Sequence, residues 1–354
     1  MEKTGQLSAP GQLEADASVV PDAPRLPDQP LSELAALHGL KVSGARPSLW
    51  EYVRLLWSRR HFILGYATAR NISRYTEARL GQVWQVLTPL LNSLVYYLIF
   101  GLLFVEARAV SHYAAFLVAG VFVFAFTERS IVTGSTVMRL NLPLIRALYF
   151  PRAALPLAYV IVELEQMLLG LVVVALFAIG SGEPFTWYWL LLIPAVLLQT
   201  MFNTGAALIV ARLGGAMQDV SELIPFILRI SRYFCGVMYL IETLPASLST
   251  WEKQILSLNP IAVYIQLVRV AIMKSYRTDS PGNAPYNKGL CEIFLKNPGA
   301  SNAPGGGSNI PLGAHCAAYV TNPQLWIAGI GWAVVFLIVG TVFFWQAESK
   351  YGRG

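Results

Sequence analysis

The chain has 354 residues, of which 55% are hydrophobic and only 13% are charged, with a formal net charge of +6. Soluble domains carry roughly 25% charged residues, so this composition argues against a soluble globular protein. The basic excess needs no nucleic acid to explain it, because anionic membrane lipids attract lysine and arginine to the membrane surface.

The hydrophobic residues are gathered into long runs. A helix needs about 20 apolar residues to cross ~30 Å of hydrocarbon. Six runs have about this length, at roughly 86–105, 113–137, 153–180, 187–211, 223–241 and 325–345. The sequence therefore predicts an all-α polytopic membrane protein with six transmembrane helices, five of them within residues 86–241. Buried helices of a soluble protein are the alternative.

The segment before the first run has two parts. Residues 1–47 are polar and rich in proline, which predicts a disordered cytosolic arm. They lack the early apolar core of a secretory signal, so the first span is expected to serve as the insertion signal. In residues 48–85, apolar side chains such as Val53, Leu56 and Trp57 recur at helical spacing among arginines. This pattern is typical of an amphipathic helix in the membrane surface, with a solvated helix packed on another domain as the alternative.

Basic residues near the ends of the runs predict the orientation. They precede the first span and separate spans two and three: Arg70, Arg74, Arg79, Arg139, Arg146 and Arg152. The short loops on the other side hold only Arg108. The positive-inside rule then places both termini in the cytosol, with 346–354 as a short tail.

The longest connection, residues 242–324, precedes the last span. Its first part is too apolar for a free loop, and Asn259-Pro260 divides it into two short pieces. Such pieces predict extracytoplasmic gate helices that are re-entrant or interfacial. In the glycine-rich remainder, a disulfide between Cys291 and Cys316 is expected to contribute roughly 3 kcal/mol. Two free thiols are the alternative.

Ionisable side chains inside the runs are costly and are therefore functional candidates. At about 1.5 Å per residue, four of them fall at one depth, roughly 12–15 Å from the cytosolic span ends. They are Glu128, Arg129, Glu163 and Arg232, with Glu163–Arg232 and Glu128–Arg129 as plausible partners. This charge layer either neutralises itself and holds the bundle together, or Arg229 or Arg232 contacts an anionic head group. Arg229 could also extend to the interface.

An aromatic stripe lies along the first span. Tyr96, Phe100 and Phe104 stand at positions i, i+4 and i+8. Packing against lipid is one interpretation. A conduit for glycans is the other, since tyrosine offers an apolar face with a polar tip.

Signatures of catalysis are missing from the sequence. No G-x-x-x-x-G-K-[ST] loop is present, so ATP hydrolysis is not expected on this chain. The four histidines are not clustered with cysteines or carboxylates at metal-ligand spacing, and no G-x-S-x-G elbow occurs. We expect no metal site, no cofactor and no enzymatic activity on this chain.

Five segments together resemble the membrane subunits of ABC-2 type exporters, closest to the permeases that export O-antigen or teichoic acid. The segments are "RYTEARLGQVWQVLTPLLNSLVYYLIFGLLF" (74–104), "NLPLIRALYFPRAALPL" (141–157), "RLGGAMQDVSELIPFIL" (212–228), "SLNPIAVYIQLVR" (257–269) and the closing "VGTVFFWQAESKYGRG". The resemblance covers roughly 49–350. The N-terminal arm and the insert at 278–322 are longer than the common family pattern, so no function is carried over to them.

The resemblance implies coupling loops near 139–152 and 212–222 that contact a separate ATPase. The implied contacts are Asn141, Leu142, Pro143, Leu144, Ile145, Leu148, Tyr149 and Asp219. The first loop would be a coupling helix, which Asn141 can cap, in which Pro143 suits an early position, and which ends at Phe150-Pro151. A surface turn against lipid headgroups is the alternative.

The resemblance also implies an assembly of two permease copies and two ATPase chains that bind ATP and Mg. The conduit would run between the permeases, lined by spans one and five. The expected cargo is a lipid-linked polysaccharide carried outward across the bacterial plasma membrane. Arg70, Arg74 and Arg79 would form a basic approach for it, or would only signal orientation.

The identity of the cargo is open. A composition rich in Ala, Gly and Arg suggests a GC-rich bacterium such as an actinobacterium, and makes a cell-wall galactan a candidate. One rival function is an ABC-2 exporter of a lipid or drug. The other is a membrane-embedded glycosyl- or acyltransferase, which would need a catalytic carboxylate or histidine at a span end.

Overall fold

The computed structural model describes residues 48–75, 83–103, 112–148, 150–239, 241, 250–273 and 322–348. Within these ranges, all regular secondary structure is helical. Several predicted features lie outside the described residues: the arm 1–47, Arg79, Phe104, Tyr149, Cys291, Cys316, the tail 349–354 and the side chain of Arg74.

Eleven α-helices are described. They are α1 (Leu49–Ser58), α2 (Arg60–Tyr75), α3 (Val83–Tyr96), α4 (Tyr113–Leu140), α5 (Leu142–Ala147), α6 (Ala154–Gly180), α7 (Leu192–Ala216), α8 (Gln218–Phe234), α9 (Thr250–Ser257), α10 (Pro260–Ile272) and α11 (Asn322–Ala347). A π-helical stretch, Tyr97–Leu103, continues α3, and a 3-10 turn, Trp187–Leu191, leads into α7.

Four helices are long and apolar enough to cross a membrane. They are Tyr113–Leu140, Ala154–Gly180, Trp187–Ala216 and Pro323–Ala347. The predicted count of six spans is not confirmed. In the first predicted span, the apolar helix Val86–Gly101 has fewer than 18 residues. The fifth, α8, has 17 residues, which is about 25 Å of helix. It carries charged side chains near both ends, Asp219 and Glu222 at one and Arg229 and Arg232 at the other.

The long helices pack closely because small residues stand at their crossing points. A Cβ added to Gly340 of α11 would lie 2.3 Å from the carbonyl oxygen of Gly205 in α7. A Cβ on Gly134 of α4 would lie 3.1 Å from Ala207 of α7. Between membrane helices, such close backbone contact supplies van der Waals packing that larger side chains would prevent.

Two short helices, α9 and α10, precede the last long helix. Asn259 begins α10, because its Oδ1 accepts a hydrogen bond from the Ile261 amide at 3.0 Å. Tyr264 donates to the Gly329 carbonyl at 2.9 Å, and Trp332 Nε1 donates to the Leu258 carbonyl at 2.9 Å. Both helices are thereby tied to α11, and their predicted role as gate helices stays a prediction.

Candidate coupling and transport site

The short helix α5 lies at a turn between two long helices. α4 ends at Leu140, α5 occupies Leu142–Ala147, and α6 begins at Ala154. α8 begins at the same end of the bundle, where Ser221 Oγ donates to the Ser135 carbonyl at 3.0 Å. We call this the α5 end. Asp219, in the first turn of α8, is exposed there.

Asn141 links α5 to α2 instead of capping α5. Its Oδ1 accepts a 2.6 Å hydrogen bond from the Tyr66 hydroxyl, and its Nδ2 donates to the Val137 carbonyl at 2.7 Å. No side-chain cap is formed at α5, so the predicted cap is wrong. Pro143 does lie in the first turn, as predicted, but the helix already ends at Ala147. Tyr66 occupies the side-chain oxygen of Asn141 that would otherwise cap α5. Tyr66 lies 75 residues away in the sequence, so the local pattern does not reveal this contact.

The apolar side chains of α5 divide between the interior and the surface. Ile145 is buried in a cluster with Tyr52 and Met138, so it packs within its own chain. Leu142 is 39% exposed and Leu148 is 52% exposed. The exposed surface of α5 and of the adjoining Leu148 is therefore formed by Leu142, Pro143, Arg146, Ala147 and Leu148, and by Leu144 only in part.

A polar link joins α1, the start of α6 and the end of α11. The Tyr52 hydroxyl donates to Glu348 Oε2 at 2.7 Å and accepts from the Ala153 amide at 3.2 Å. Glu348 Oε1 accepts from the Arg152 amide at 2.9 Å, and the Arg152 guanidinium donates to the Glu348 carbonyl. We call this the Tyr52–Glu348 link. Burial raises the pKa of both side chains, although the Arg152 amide and the Tyr52 hydroxyl partly offset this effect for the Glu348 pKa.

Sequence reasoning missed the Tyr52–Glu348 link. The available signal was a tyrosine on the apolar face of an amphipathic helix, since a buried hydroxyl needs a hydrogen-bond partner. The identity of that partner, 296 residues away, could not be read from the sequence.

α2 packs along α6 through polar and aromatic contacts. Asn71 Nδ2 donates to Glu165 Oε2 at 2.6 Å. Arg70, a predicted cargo contact, is exposed, and its guanidinium lies 5.6 Å from the ring centre of Tyr159. Burial, followed by the influence of Tyr159, raises the pKa of Tyr66 to about 12.

The predicted charge layer separates into two groups. In the first, Arg232 of α8 forms an ion pair with Glu128 of α4 and donates to the Tyr96 hydroxyl of α3 at 2.7 Å. Its guanidinium also lies 5.0 Å from the ring centre of Phe124. The partner of Arg232 is thus Glu128, and the suggested pair with Glu163 is wrong.

The second group lies between α4 and α6. Arg129 donates to Gln166 Oε1 at 2.7 Å, so its partner is not the neighbouring Glu128 suggested by the sequence. Glu163 is buried and lines a small cavity together with Arg129, Gln166 and Pro89.

The two helices that contribute Tyr96 and Arg232, α3 and α8, present apolar side chains at the surface. On α8 these are Leu223, Phe226, Ile227, Ile230, Tyr233 and Phe234, and on α3 they are Leu91, Leu94 and Val95. Arg229 is also exposed, whereas Phe100 is half-buried and packs against the core. Of the two described residues of the predicted aromatic stripe, Tyr96 is placed beside a charged group.

A buried arginine in α10 also escaped the sequence analysis. Arg269 is fully buried and donates to the carbonyls of Gly236 and Val237, both at 2.8 Å, and to that of Phe116 at 3.2 Å. It connects α10 to the beginning of α4 and to the turn after α8. The sequence signal was a single arginine in an apolar helix. Burying a charge there costs free energy, so such an arginine is expected to bond to backbone carbonyls or to an opposite charge.

The long apolar helices and the short helix between α4 and α6 define a multi-pass membrane protein. A family model described as ABC-2 type transporter matches residues 64–273, which is more than half of the chain. The chain therefore belongs to the ABC-2 type transporter family, whose members are membrane subunits of transporters.

The chain is also similar to two O-antigen export system permease proteins RfbA of Klebsiella pneumoniae. One is 29% identical over 195 residues and the other 27% identical over 194 residues. Each match covers 54% of this chain and 72% of the relative. These matches confirm the resemblance to the O-antigen export branch of the family.

Proposed function

We propose that this chain is the permease subunit of an ATP-driven exporter that moves a lipid-linked polysaccharide from the cytosolic to the outer side of a bacterial plasma membrane. The observation that carries the proposal is α5, a helix of six residues between two long apolar helices. Its exposed Leu142, Pro143 and Leu148 form a small apolar surface suited to a partner protein. Family membership and the O-antigen export relatives support the same function.

In this proposal the work comes from a separate nucleotide-binding chain. Two permeases associate with two such ATPase chains, and ATP and Mg bind to the ATPases. The α5 end faces the cytosol, as do both termini, and Asp219 provides a second contact. This chain contributes the docking surface and the spans that move.

Contacts of α5 with the long helices would transmit a movement of α5 to the rest of the bundle. Ile145 packs in one cluster with Met138 of α4 and Tyr159 of α6, so a displacement of α5 changes the packing of both long helices. The Tyr52–Glu348 link extends this contact to α1 and α11. We propose that ATP binding acts on the spans through these contacts.

The proposed cargo path runs between two copies of the permease, along α3 and α8. These two helices expose apolar side chains and also carry Tyr96 and Arg232, and Arg232 is ion-paired with Glu128. This combination suits a lipid carrier with an anionic head group and an attached glycan such as O-antigen, galactan or teichoic acid. The same apolar surface also favours a second candidate function, the export of a lipid or drug.

The coupling proposal is tested by Leu148→Asp. A carboxylate on this apolar surface, at the C-terminal end of α5, should reduce association with the ATPase and abolish export, because a buried unpaired charge opposes docking. Association is measured by co-purification, and export by the glycan that reaches the cell surface. Gln346→Asp is the matched control, because it places the same charge at the α5 end on α11, where Gln346 is exposed.

Normal co-purification of the Leu148→Asp variant would contradict the role of α5. Transport by the isolated permease in liposomes, without the ATPase or ATP, would contradict the proposed function as a whole. Mass spectrometry of the lipid that co-purifies with the complex distinguishes a glycan carrier from a simple lipid or a drug.

A further inference from the structure

An apolar groove separates the first two helices from the long helices at the α5 end. Its volume is about 660 Å³. One wall is formed by α1 and α2, and the other by α6, α7 and α11; representative lining residues are Leu56, Trp57, Ile161, Leu208 and Ile338. Ligand cavities in proteins typically measure about 300–1,000 Å³, so the groove has the size of a binding site.

The polar groups of the groove are few, and two of them bond within the chain. The Tyr52 hydroxyl takes part in the link to Glu348, and Thr204 Oγ1 donates to the Thr200 carbonyl at 2.8 Å. Among the described lining residues, the one charged side chain is Arg60, which is exposed at the start of α2. One of its nitrogens donates to the Trp57 carbonyl at 3.3 Å. A guanidinium has five N–H donors, so others can bind an anion.

We propose that this groove binds an anionic membrane phospholipid, with acyl chains between α1 and the long helices and the phosphate at Arg60. The groove borders apolar residues of α11, a helix long enough to span the membrane, so lipid is the solvent at its opening. A guanidinium at one edge of an apolar groove complements a molecule with an anionic head and an apolar tail. The bound lipid holds α1 against the bundle and is distinct from the exported cargo.

The head-group part is tested on the full-length permease by native mass spectrometry. The probes are phosphatidylglycerol and phosphatidylcholine with identical acyl chains. The wild-type protein should bind phosphatidylglycerol about fivefold more tightly, the ratio typical of one basic residue near an anionic lipid. Arg60→Gln should remove this preference, and Arg60→Lys should retain most of it. Arg59→Gln is the matched control, because Arg59 is exposed and adjacent but does not line the groove.

The groove part is tested by filling the space. Ile338→Trp should weaken the binding of both lipids several-fold, because the indole occupies the volume of the acyl chain. Ile330→Trp is the control on the same helix: Ile338 is 58% exposed and Ile330 is 49% exposed, but Ile330 is not part of the lining. A phospholipid with a diazirine on its acyl chain should cross-link to Leu56 or Ile161, which gives a readout that needs no variant.

Any of four results would overturn the proposal. Equal affinity for the two lipids would contradict recognition of an anionic head group. An equal loss of the phosphatidylglycerol preference in the Arg59 and Arg60 variants would contradict the role of Arg60. Cross-links confined to residues outside the groove would show that the lipid does not bind there. The groove would then be assigned to another occupant, such as residues 1–47. Failure to bind either added lipid while the exported glycan carrier co-purifies and cross-links there would make the groove a cargo site.

Discussion

Single polar side chains join parts of this chain that are far apart in sequence. Tyr52 bonds to Glu348, Tyr66 bonds to Asn141, and Arg232 pairs with Glu128. A buried hydroxyl or carboxyl without a hydrogen bond destabilises the folded state, so each of these groups requires its partner. The partners therefore fix which helices lie side by side.

Replacing Tyr52 with phenylalanine tests the value of one such contact. The change removes the hydroxyl that contacts Glu348 Oε2 and the Ala153 amide, and leaves both groups unpaired in a buried position. We expect the free energy of unfolding to fall by about 1–3 kcal/mol. It is measured by denaturant titration of the purified permease in detergent micelles.

Tyr233→Phe is the control for this measurement. Tyr233 is 51% exposed on α8, and loss of its hydroxyl should change the free energy of unfolding by less than about 0.5 kcal/mol. Equal destabilisation by the two changes would show that the Tyr52 hydroxyl contributes no more than a surface group.

For these charged side chains, the sequence predicted the depth along the helices but not the ion-pair partners. The rise along each helix correctly placed Glu128 and Arg232 at one level, because depth depends only on position within a helix. The ion pair between them also depends on the rotation and neighbours of α4 and α8. Those properties arise from packing, and a single sequence does not encode them in its spacing.

Among the described helices, α7 and α11 pack closely against each other. Gly205 and Gly340 stand where the two backbones meet, and Phe336 covers Gly205 from α11. Lipid tails are as apolar as the helices, so burial of apolar surface does not drive this association. Close packing of the two backbones drives the association, and this packing is possible because Gly205 and Gly340 have no side chain.

Gly340→Ala tests that dependence. The added Cβ would lie 2.3 Å from the Gly205 carbonyl oxygen, so the two helices must separate. We expect a loss of about 1–3 kcal/mol in the free energy of unfolding. Gly331→Ala on the same helix is the control, since nothing lies within 4 Å of its added Cβ. It should be neutral or stabilising by up to ~1 kcal/mol. Equal changes in the two variants would show that the contact between Gly340 and Gly205 does not stabilise the helix pair.

Hydropathy predicted the long helices well and the shorter ones less well. The runs at 113–137, 153–180, 187–211 and 325–345 all correspond to helices that can span a membrane. The run at 223–241 does not, because α8 begins at Gln218, ends at Phe234 and contains Arg229 and Arg232. Counts of apolar residues do not detect where a helix ends or which face carries charge.

Among the described residues, the two ends of the helix bundle differ in charge. Described residues at the α5 end include the basic residues Arg139, Arg146, Arg152 and Arg212. At the opposite end, Glu183 lies 3.9 Å from His112. Basic residues are retained on the cytosolic side of membrane proteins, so this difference supports a cytosolic α5 end.

Cysteine labelling tests the proposed orientation. In a background in which Cys235, Cys291 and Cys316 are replaced by serine, a membrane-impermeant maleimide is added to spheroplasts. Trp187→Cys should be labelled, because Trp187 is 90% exposed at the end opposite α5. Leu148→Cys should be labelled only after the membrane is permeabilised, and the reverse result would invert the topology.

The Tyr52–Glu348 link has a consequence for biosynthesis. The two residues are 296 positions apart, and ribosomes add about 5–20 residues per second. Roughly 15–60 s therefore pass between the synthesis of Tyr52 and that of Glu348. During this interval the newly made α1 lacks the carboxylate that its tyrosine hydroxyl contacts in the finished protein. Final docking of α1 thus follows the translation of α11, and the Tyr52–Glu348 link forms only when both helices have been made.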